Sequence, residues 1–142
     1  MAENLVYKPD TGNYWSYEND LGNLEKYGYL YDWQTAQTLA PAGWHLPSDE
    51  EWKTILALLG SDKNEILLAI KPGERSGLNI LPGGFRHKEG QFLQMGITSG
   101  FWSATAFDDN RAFGFYSNTQ AGEASVLSGS KSSGFNVRLI KD

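Results

Sequence analysis

The chain has 142 residues, no cysteine and a formal net charge of −5 at pH 7, since 12 lysines and arginines stand against 17 aspartates and glutamates. The length is typical of one domain, so we expect a single domain over residues 1–142. The absence of cysteine excludes a thiolate nucleophile and a cysteine-ligated metal centre. The acidic balance argues against nucleic acid as a partner, and no apolar run approaches the ~20 residues that cross a bilayer, so we expect no membrane span.

A first helix is predicted over Asp32–Leu39. Asp32 is a residue type that caps helix N-termini, and Pro41 stops the segment. Aromatic side chains recur at every second position from Tyr27 to the start of this helix, which indicates a short extended stretch that leads into it. These aromatic residues are Tyr27, Tyr29, Tyr31 and Trp33.

The second helix has the clearest sequence pattern. Ser48 and Glu51 have the spacing of a capping box, and Gly60 closes the segment. Between them, apolar residues fall at i, i+3, i+4 and i+7, namely Trp52, Ile55, Leu56 and Leu59. A short helical piece, Glu65–Ile70, is predicted to follow.

After Pro72 the chain is rich in glycine and in alternating residues, which predicts strands. Two of them flank the loop Lys88-Glu89-Gly90 as a hairpin. The predicted strands are Ile80–Arg86, Gln91–Leu93, Gly100–Thr105, Ala112–Ser117, Glu123–Leu127 and Gly134–Ile140. Helices followed by strands indicate an α+β domain and not alternating βαβ units.

Five further motifs occur in a fixed order, namely Tyr27–Trp33, Pro41–Trp52, Leu81–Arg86, Phe101–Thr105 and Gly134–Asp142. Together they resemble the Fibrobacter succinogenes major paralogous domain family, which is largely found on exported and lipid-anchored bacterial proteins, and the match runs from about Tyr14 to the end of the sequence. The resemblance implies a C-type-lectin-like fold with two main helices, a twisted antiparallel sheet and adjacent N- and C-terminal strands.

The same resemblance bears on chemistry and location. The Leu46-Pro47-Ser48 helix start is similar to that of formylglycine-generating and sulfatase-modifying enzymes, but their reactive cysteine pair is absent, so formylglycine-generating activity is excluded. The family implies an extracellular or cell-envelope location, as a secreted protein or a lipoprotein. The sequence opens in polar residues, so we expect no signal peptide within it.

The binding surface is expected in the connection and strand from Thr105 to Tyr116, because connections carry function while helices hold shape. Six residues are predicted to contact a ligand, namely Trp102, Asp108, Asp109, Asn110, Arg111 and Tyr116. No catalytic residue is predicted: the sequence places His45 in an apolar turn as a structural residue and His87 at a solvated hairpin tip.

The triplet Asp108-Asp109-Asn110 has two interpretations. Aspartate and asparagine are standard turn formers, and the turn is favoured. Adjacent carboxylates also join backbone carbonyls around Ca²⁺, so calcium is the alternative to the expectation of no cofactor.

These observations predict a non-catalytic extracellular binding module for adhesion or recognition, with a glycan or a surface protein as its partner. Flat rings beside Asn, Asp and Arg suit sugars, but the same residues describe a protein-binding patch. Two other classes stay open. A structural or assembly domain of a cell-surface protein would show a flat apolar patch and a stable oligomer, and a diverged carbohydrate-active enzyme would show a pocket with two convergent titratable groups.

Overall fold

Short helices and strands occupy the chain up to residue 69, and a three-stranded antiparallel sheet occupies much of the rest. The computed structural model describes residues 3–142. Its helices are α1 (Leu24–Tyr27), α2 (Trp33–Ala36), α3 (Asp49–Leu59) and α4 (Lys63–Ala69), with 3₁₀ turns at Tyr17–Asn19 and Leu21–Asn23. Its strands are β1 (Tyr14–Trp15), β2 (Leu30–Tyr31), β3 (Trp44–His45), β4 (Phe85–Arg86), β5 (Phe92–Leu93), β6 (Thr98–Ala106), β7 (Arg111–Asn118), β8 (Glu123–Ser130) and β9 (Ile140–Lys141).

The capping box predicted for the second helix is confirmed. The Glu51 backbone N–H donates to Ser48 Oγ at 3.1 Å, and the Ser48 N–H donates to Glu51 Oε2 at 2.8 Å. The two bonds satisfy N–H groups that a helix start otherwise leaves without a partner. Helix α3 begins at Asp49 and ends before Gly60, and it buries Trp52 and Leu56 against the sheet.

The first predicted helix is wrong in length. Asp32 caps it as expected, accepting from the Thr35 N–H at 2.9 Å, but α2 ends at Ala36 rather than Leu39. Beyond Ala36 the backbone tightens, because the Thr38 N–H bonds back to the Thr35 carbonyl three residues earlier. The two longest helices are therefore α3 and α4, and α4 starts two residues before the predicted piece Glu65–Ile70, because Asp62 caps it.

The three-stranded sheet has the order β6-β7-β8 and confirms the strands predicted there, each slightly longer than expected. Side chains alternate between its two faces. Phe101 and Phe115 lie opposite each other and pack with Trp52 of α3 on the helix-facing side. The hairpin around Lys88-Glu89-Gly90 forms, with Arg86 opposite Phe92, but the strand predicted over Ile80–Arg86 is confirmed only at Phe85–Arg86. Gly84 ends it on the N-terminal side, because its positive φ of 71° breaks the extended backbone.

The N- and C-terminal strands do not pair with each other, which corrects the expectation of adjacent terminal strands: β1 pairs with β2, and β9 pairs with β3. The chain ends still lie side by side, because the Leu5 N–H donates to the Val137 carbonyl at 2.9 Å. The predicted strand Gly134–Ile140 is not continuous either, because this segment changes hydrogen-bond partners along its length. Its partners, in order, are Arg86, Tyr31, Gly100, Trp102, Leu5 and His45.

Within residues 3–142, no helix is long and apolar enough to cross a membrane.

Candidate functional site

The predicted polar residues form the turn between β6 and β7. Both carboxylate oxygens of Asp108 are occupied: Oδ1 accepts from the backbone N–H groups of Asn110 and Arg111 at 2.9 and 2.7 Å, and Oδ2 accepts from Arg111 Nε at 2.9 Å. The Arg111 guanidinium foremost, and then these backbone bonds, lower the pKa of Asp108. Asp108 is thus the residue that holds the turn together.

The calcium alternative gains no support from this geometry. Within residues 3–142, no group of three or more histidine, aspartate or glutamate side chains is arranged so that it could hold a metal ion. In Asp108, the best-placed carboxylate of the triplet, both oxygens already accept hydrogen bonds from residues of the turn.

Trp102 is fully buried, so its predicted place on the binding surface is corrected. Its indole Nε1–H donates to the Tyr31 carbonyl at 2.7 Å, and its ring meets the Phe135 ring edge-to-face at a centroid distance of 4.5 Å. Strand alternation turns Trp102 into the core formed with Tyr31 and Val137. It therefore lies beneath the surface and not on it.

An apolar slot of about 220 Å³ lies on the face of the sheet that points away from α3. Tyr116, Leu127 and Phe135 line it, and Leu127 is 48 % exposed. Its floor is made of strand glycines, since Gly100, Gly114 and Gly129 line the same slot.

The glycine floor allows the Phe135 ring to lie close to the backbone. A Cβ at Gly100 would stand 2.7 Å from Phe135 Cδ1, and one at Gly129 would stand 3.1 Å from Cε2. Gly100 is in β6 and Gly129 is in β8, the two outer strands, so one ring meets both only because the sheet curls around it.

A second cavity of about 520 Å³, whose lining residues are mainly of polar types, adjoins the slot and shares Ser128, Gly129 and Phe135 with it. We call this second cavity the polar end, and the slot and the polar end together the sheet trough. The β4–β5 hairpin is docked on the closing segment by two hydrogen bonds between Arg86 and Gly134, and this places its turn at the polar end. The polar residues that line this end are His87, Lys88, Asp108, Asn110, Arg111, Ser128, Ser130 and Ser133.

The trough brings together four of the six predicted ligand contacts. Tyr116 lines the slot, and Asp108, Asn110 and Arg111 line the polar end, whereas Asp109 is exposed and lies outside the lining. Sequence reasoning missed Phe135, Leu127, His87 and Lys88. The glycines inside the predicted strands did indicate the slot, because such glycines mark places where another group approaches the backbone closely.

His45 occupies a separate cluster in which carboxylates contact both ring nitrogens. Nδ1 lies 2.6 Å from Asp142 Oδ1, and Nε2 lies 2.9 Å from Glu51 Oε1. Because both nitrogens are engaged, the ring has no free nitrogen to activate a serine, and its role is to connect β3, α3 and the residue after β9. These contacts match the structural role expected from the sequence, but the apolar turn is wrong, because the side chain is 37 % exposed and lies between two carboxylates.

We predict that the His45 cluster makes stability depend on pH. Hydrogen bonds to Asp142 and then Glu51 raise the pKa of His45 above its usual 6.5. A raised folded-state pKa stabilises the fold fully below the unfolded value, and this stabilisation is lost as pH rises through the folded value. Denaturant unfolding should be measured from below pH 6.5 upward through the folded-state pKa of His45. The free energy of unfolding should decline over this pH range in wild type and change less in His45→Gln.

An NMR titration provides the control for this prediction. The His45 imidazole should titrate above 6.5, and Asp142→Asn should move its pKa back toward 6.5 more than Glu51→Gln does, since Asp142 is the larger cause. An unshifted His45 pKa in wild type would contradict the prediction.

Comparison with known proteins identifies one family. The family model of the Fibrobacter succinogenes major domain matches residues 1–141. No curated protein and no solved structure matches the chain.

Proposed function

This chain belongs to the Fibrobacter succinogenes major domain family, and we propose that it is a non-catalytic extracellular binding module whose sheet trough takes a glycan. The observation that carries the proposal is the junction of an apolar slot with a polar end, shared through Ser128, Gly129 and Phe135. Sugars have apolar CH faces and a rim of hydroxyls, so they need both kinds of surface next to each other. Binding sites of this kind combine apolar walls with a few convergent polar groups.

The slot suits the apolar face of a sugar ring. Tyr116 and Phe135 present aromatic surface and Leu127 an exposed aliphatic surface around a glycine floor. Tyr116 also holds its position, since the Asn118 Nδ2–H donates to its hydroxyl at 3.2 Å. The hydroxyl and amide groups of the polar end then reach the sugar hydroxyls.

The small number of carboxylates in the trough lining supports the non-catalytic part of the proposal. Glycoside hydrolysis uses two carboxyl groups, one of which has a raised pKa so that it acts as a general acid. Among the described residues that line the trough, Asp108 is the one carboxylate, and Arg111 lowers its pKa instead of raising it.

A C-type-lectin-like architecture and a place outside the cell or in the cell envelope belong to the same proposal. The closing segment beside the opening residues, with Val137 bonded to Leu5, supports the architecture. The resemblance to exported and lipid-anchored proteins supports the location. Cell fractionation with surface proteolysis tests the location, and recovery only from the cytoplasm would overturn it.

The binding experiment is a glycan array followed by calorimetry on the saccharides that bind. We predict that Tyr116→Ala weakens binding at least about tenfold, as expected when an aromatic residue at the centre of a binding site is truncated. Asp109→Ala is the matched control, because Asp109 lies in the adjoining turn but outside the trough, and it should bind like wild type. Addition of a calcium chelator should change nothing.

The other outcomes are equally informative. Loss of binding in Asp109→Ala, or on addition of the chelator, would mean that a bound metal ion captures the saccharide and that stacking on Tyr116 does not. No binding to any saccharide at millimolar concentration would overturn the glycan proposal: capture of a purified surface protein would then favour protein recognition, and a stable oligomer would favour an assembly domain.

A further inference from the structure

The polar end of the sheet trough carries cationic and neutral hydrogen-bond donors beside the hydroxyls of Ser128, Ser130 and Ser133. Lys88 offers an ammonium and Asn110 an amide, and both are exposed. Arg111 contacts Asp108 Oδ2 through Nε and through one terminal nitrogen of its guanidinium. The second terminal nitrogen is not part of this pair. Asp108 would be the natural acceptor for a sugar hydroxyl, but its two oxygens already accept from the turn and from Arg111.

His87 adds another donor. The Glu89 backbone N–H donates to His87 Nδ1 at 3.2 Å, so Nδ1 is the acceptor nitrogen of the ring. In a neutral imidazole with Nδ1 as acceptor, the proton is on Nε2. The ring therefore presents an N–H donor at the polar end.

The charge balance of the polar end also differs from that of the chain. Two cations, Lys88 and Arg111, line it against the single carboxylate of Asp108, whereas the whole chain carries −5. Arg111 is paired with Asp108 at 2.8 Å, and Lys88 makes no ion pair within the described residues. Glu89 is the nearest further carboxylate on this hairpin, 3.9 Å from the His87 ring and 68 % exposed.

We infer that the glycan taken by the trough is an acidic saccharide, whose ring lies in the slot and whose carboxylate or sulfate group binds at Lys88 with the donors of Arg111, Asn110 and His87. This inference rests on the proposed function. An anionic group is acceptor-only, so it matches the two cations and the N–H donors that line this end, and bonds to charged partners are stronger than neutral ones.

The test is an array of uronate, sialylated and sulfated oligosaccharides, each printed beside a neutral counterpart of the same backbone. We expect acidic members to bind at least about tenfold better than their counterparts, and this preference should shrink as salt is added. Comparison of the uronate members with the sulfated members shows whether the anionic group that binds is a carboxylate or a sulfate. Lys88→Gln should weaken acidic binding about three- to tenfold, and Lys88→Arg should restore it.

Lys141→Gln is the matched control, since Lys141 is also exposed but lies in β9, outside the trough lining. It should bind like wild type. Equal binding of acidic and neutral members, or no effect of Lys88→Gln, would overturn the acidic assignment while glycan binding stands. Binding to neither set would overturn both proposals.

Discussion

Replacing Trp102 by alanine is expected to lower the free energy of unfolding by about 3–5 kcal/mol, as for other fully buried tryptophans. The side chain is 0 % exposed, and its removal leaves a cavity in the core formed with Tyr31 and Val137. It also deletes the hydrogen bond from Nε1 to the Tyr31 carbonyl at 2.7 Å. Denaturant unfolding with two independent probes measures the change.

Trp44→Ala is the control for Trp102→Ala. Trp44 is 39 % exposed in the short strand β3, so its truncation should cost much less, about 1 kcal/mol or below. Similar costs for the two substitutions would mean that Trp102 is not in the core. Trp102 also packs against Phe135, a wall of the slot. On the proposed function, a Trp102→Ala protein that still folds should therefore bind glycans less well, through displacement of Phe135.

The second large effect is expected from Arg138→Lys, which should cost about 2 kcal/mol or more. Arg138 is 2 % exposed, and its guanidinium donates to Asn4 Oδ1 at 2.7 Å, to the Asn79 carbonyl at 3.3 Å and to the Leu78 carbonyl. One side chain thus connects the opening residues, the 78–79 loop and the closing segment. A lysine ammonium lacks the planar fork that reaches all three, and each buried acceptor left without a donor costs about 1–3 kcal/mol.

Arg75→Lys is the control here, because Arg75 is exposed and the same chemical change should alter stability by less than about 0.5 kcal/mol. Unfolding in denaturant compares the two variants. Hydrogen exchange adds a local readout, since the amide of Leu5, which donates to Val137, should lose protection in Arg138→Lys. Unchanged stability and protection in Arg138→Lys would show that the charge alone suffices.

Local patterns predicted the elements whose cause is local. The Ser48–Glu51 capping box and the β4–β5 hairpin formed as predicted because their hydrogen bonds join residues a few positions apart. The same reasoning overextended α2 to Leu39, since a capping aspartate and scattered apolar residues do not reveal where a helix tightens into a turn. Asp108 was correctly assigned to a turn for the same local reason.

The trough was predictable only in part. Tyr116 and the Asp108–Arg111 turn were predicted as ligand contacts because they lie in one connection and its strand, and the structure places most of them along the trough. Phe135 and Lys88 reach the same trough from segments distant along the chain, so no spacing in the sequence signals them. Trp102 was misassigned because a strand pattern shows that faces alternate but does not show which face is covered.

The amino-acid sequence by itself determined the family, the capped helix, the strands of the main sheet and the exclusion of cysteine chemistry, because each depends on residue type or on short-range hydrogen bonds. Only the tertiary structure decided that the closing segment changes partners residue by residue, that Trp102 faces inward and that Phe135 lies against two outer strands. These features depend on contacts between residues tens of positions apart, which form when the sheet curls and the chain ends pack together.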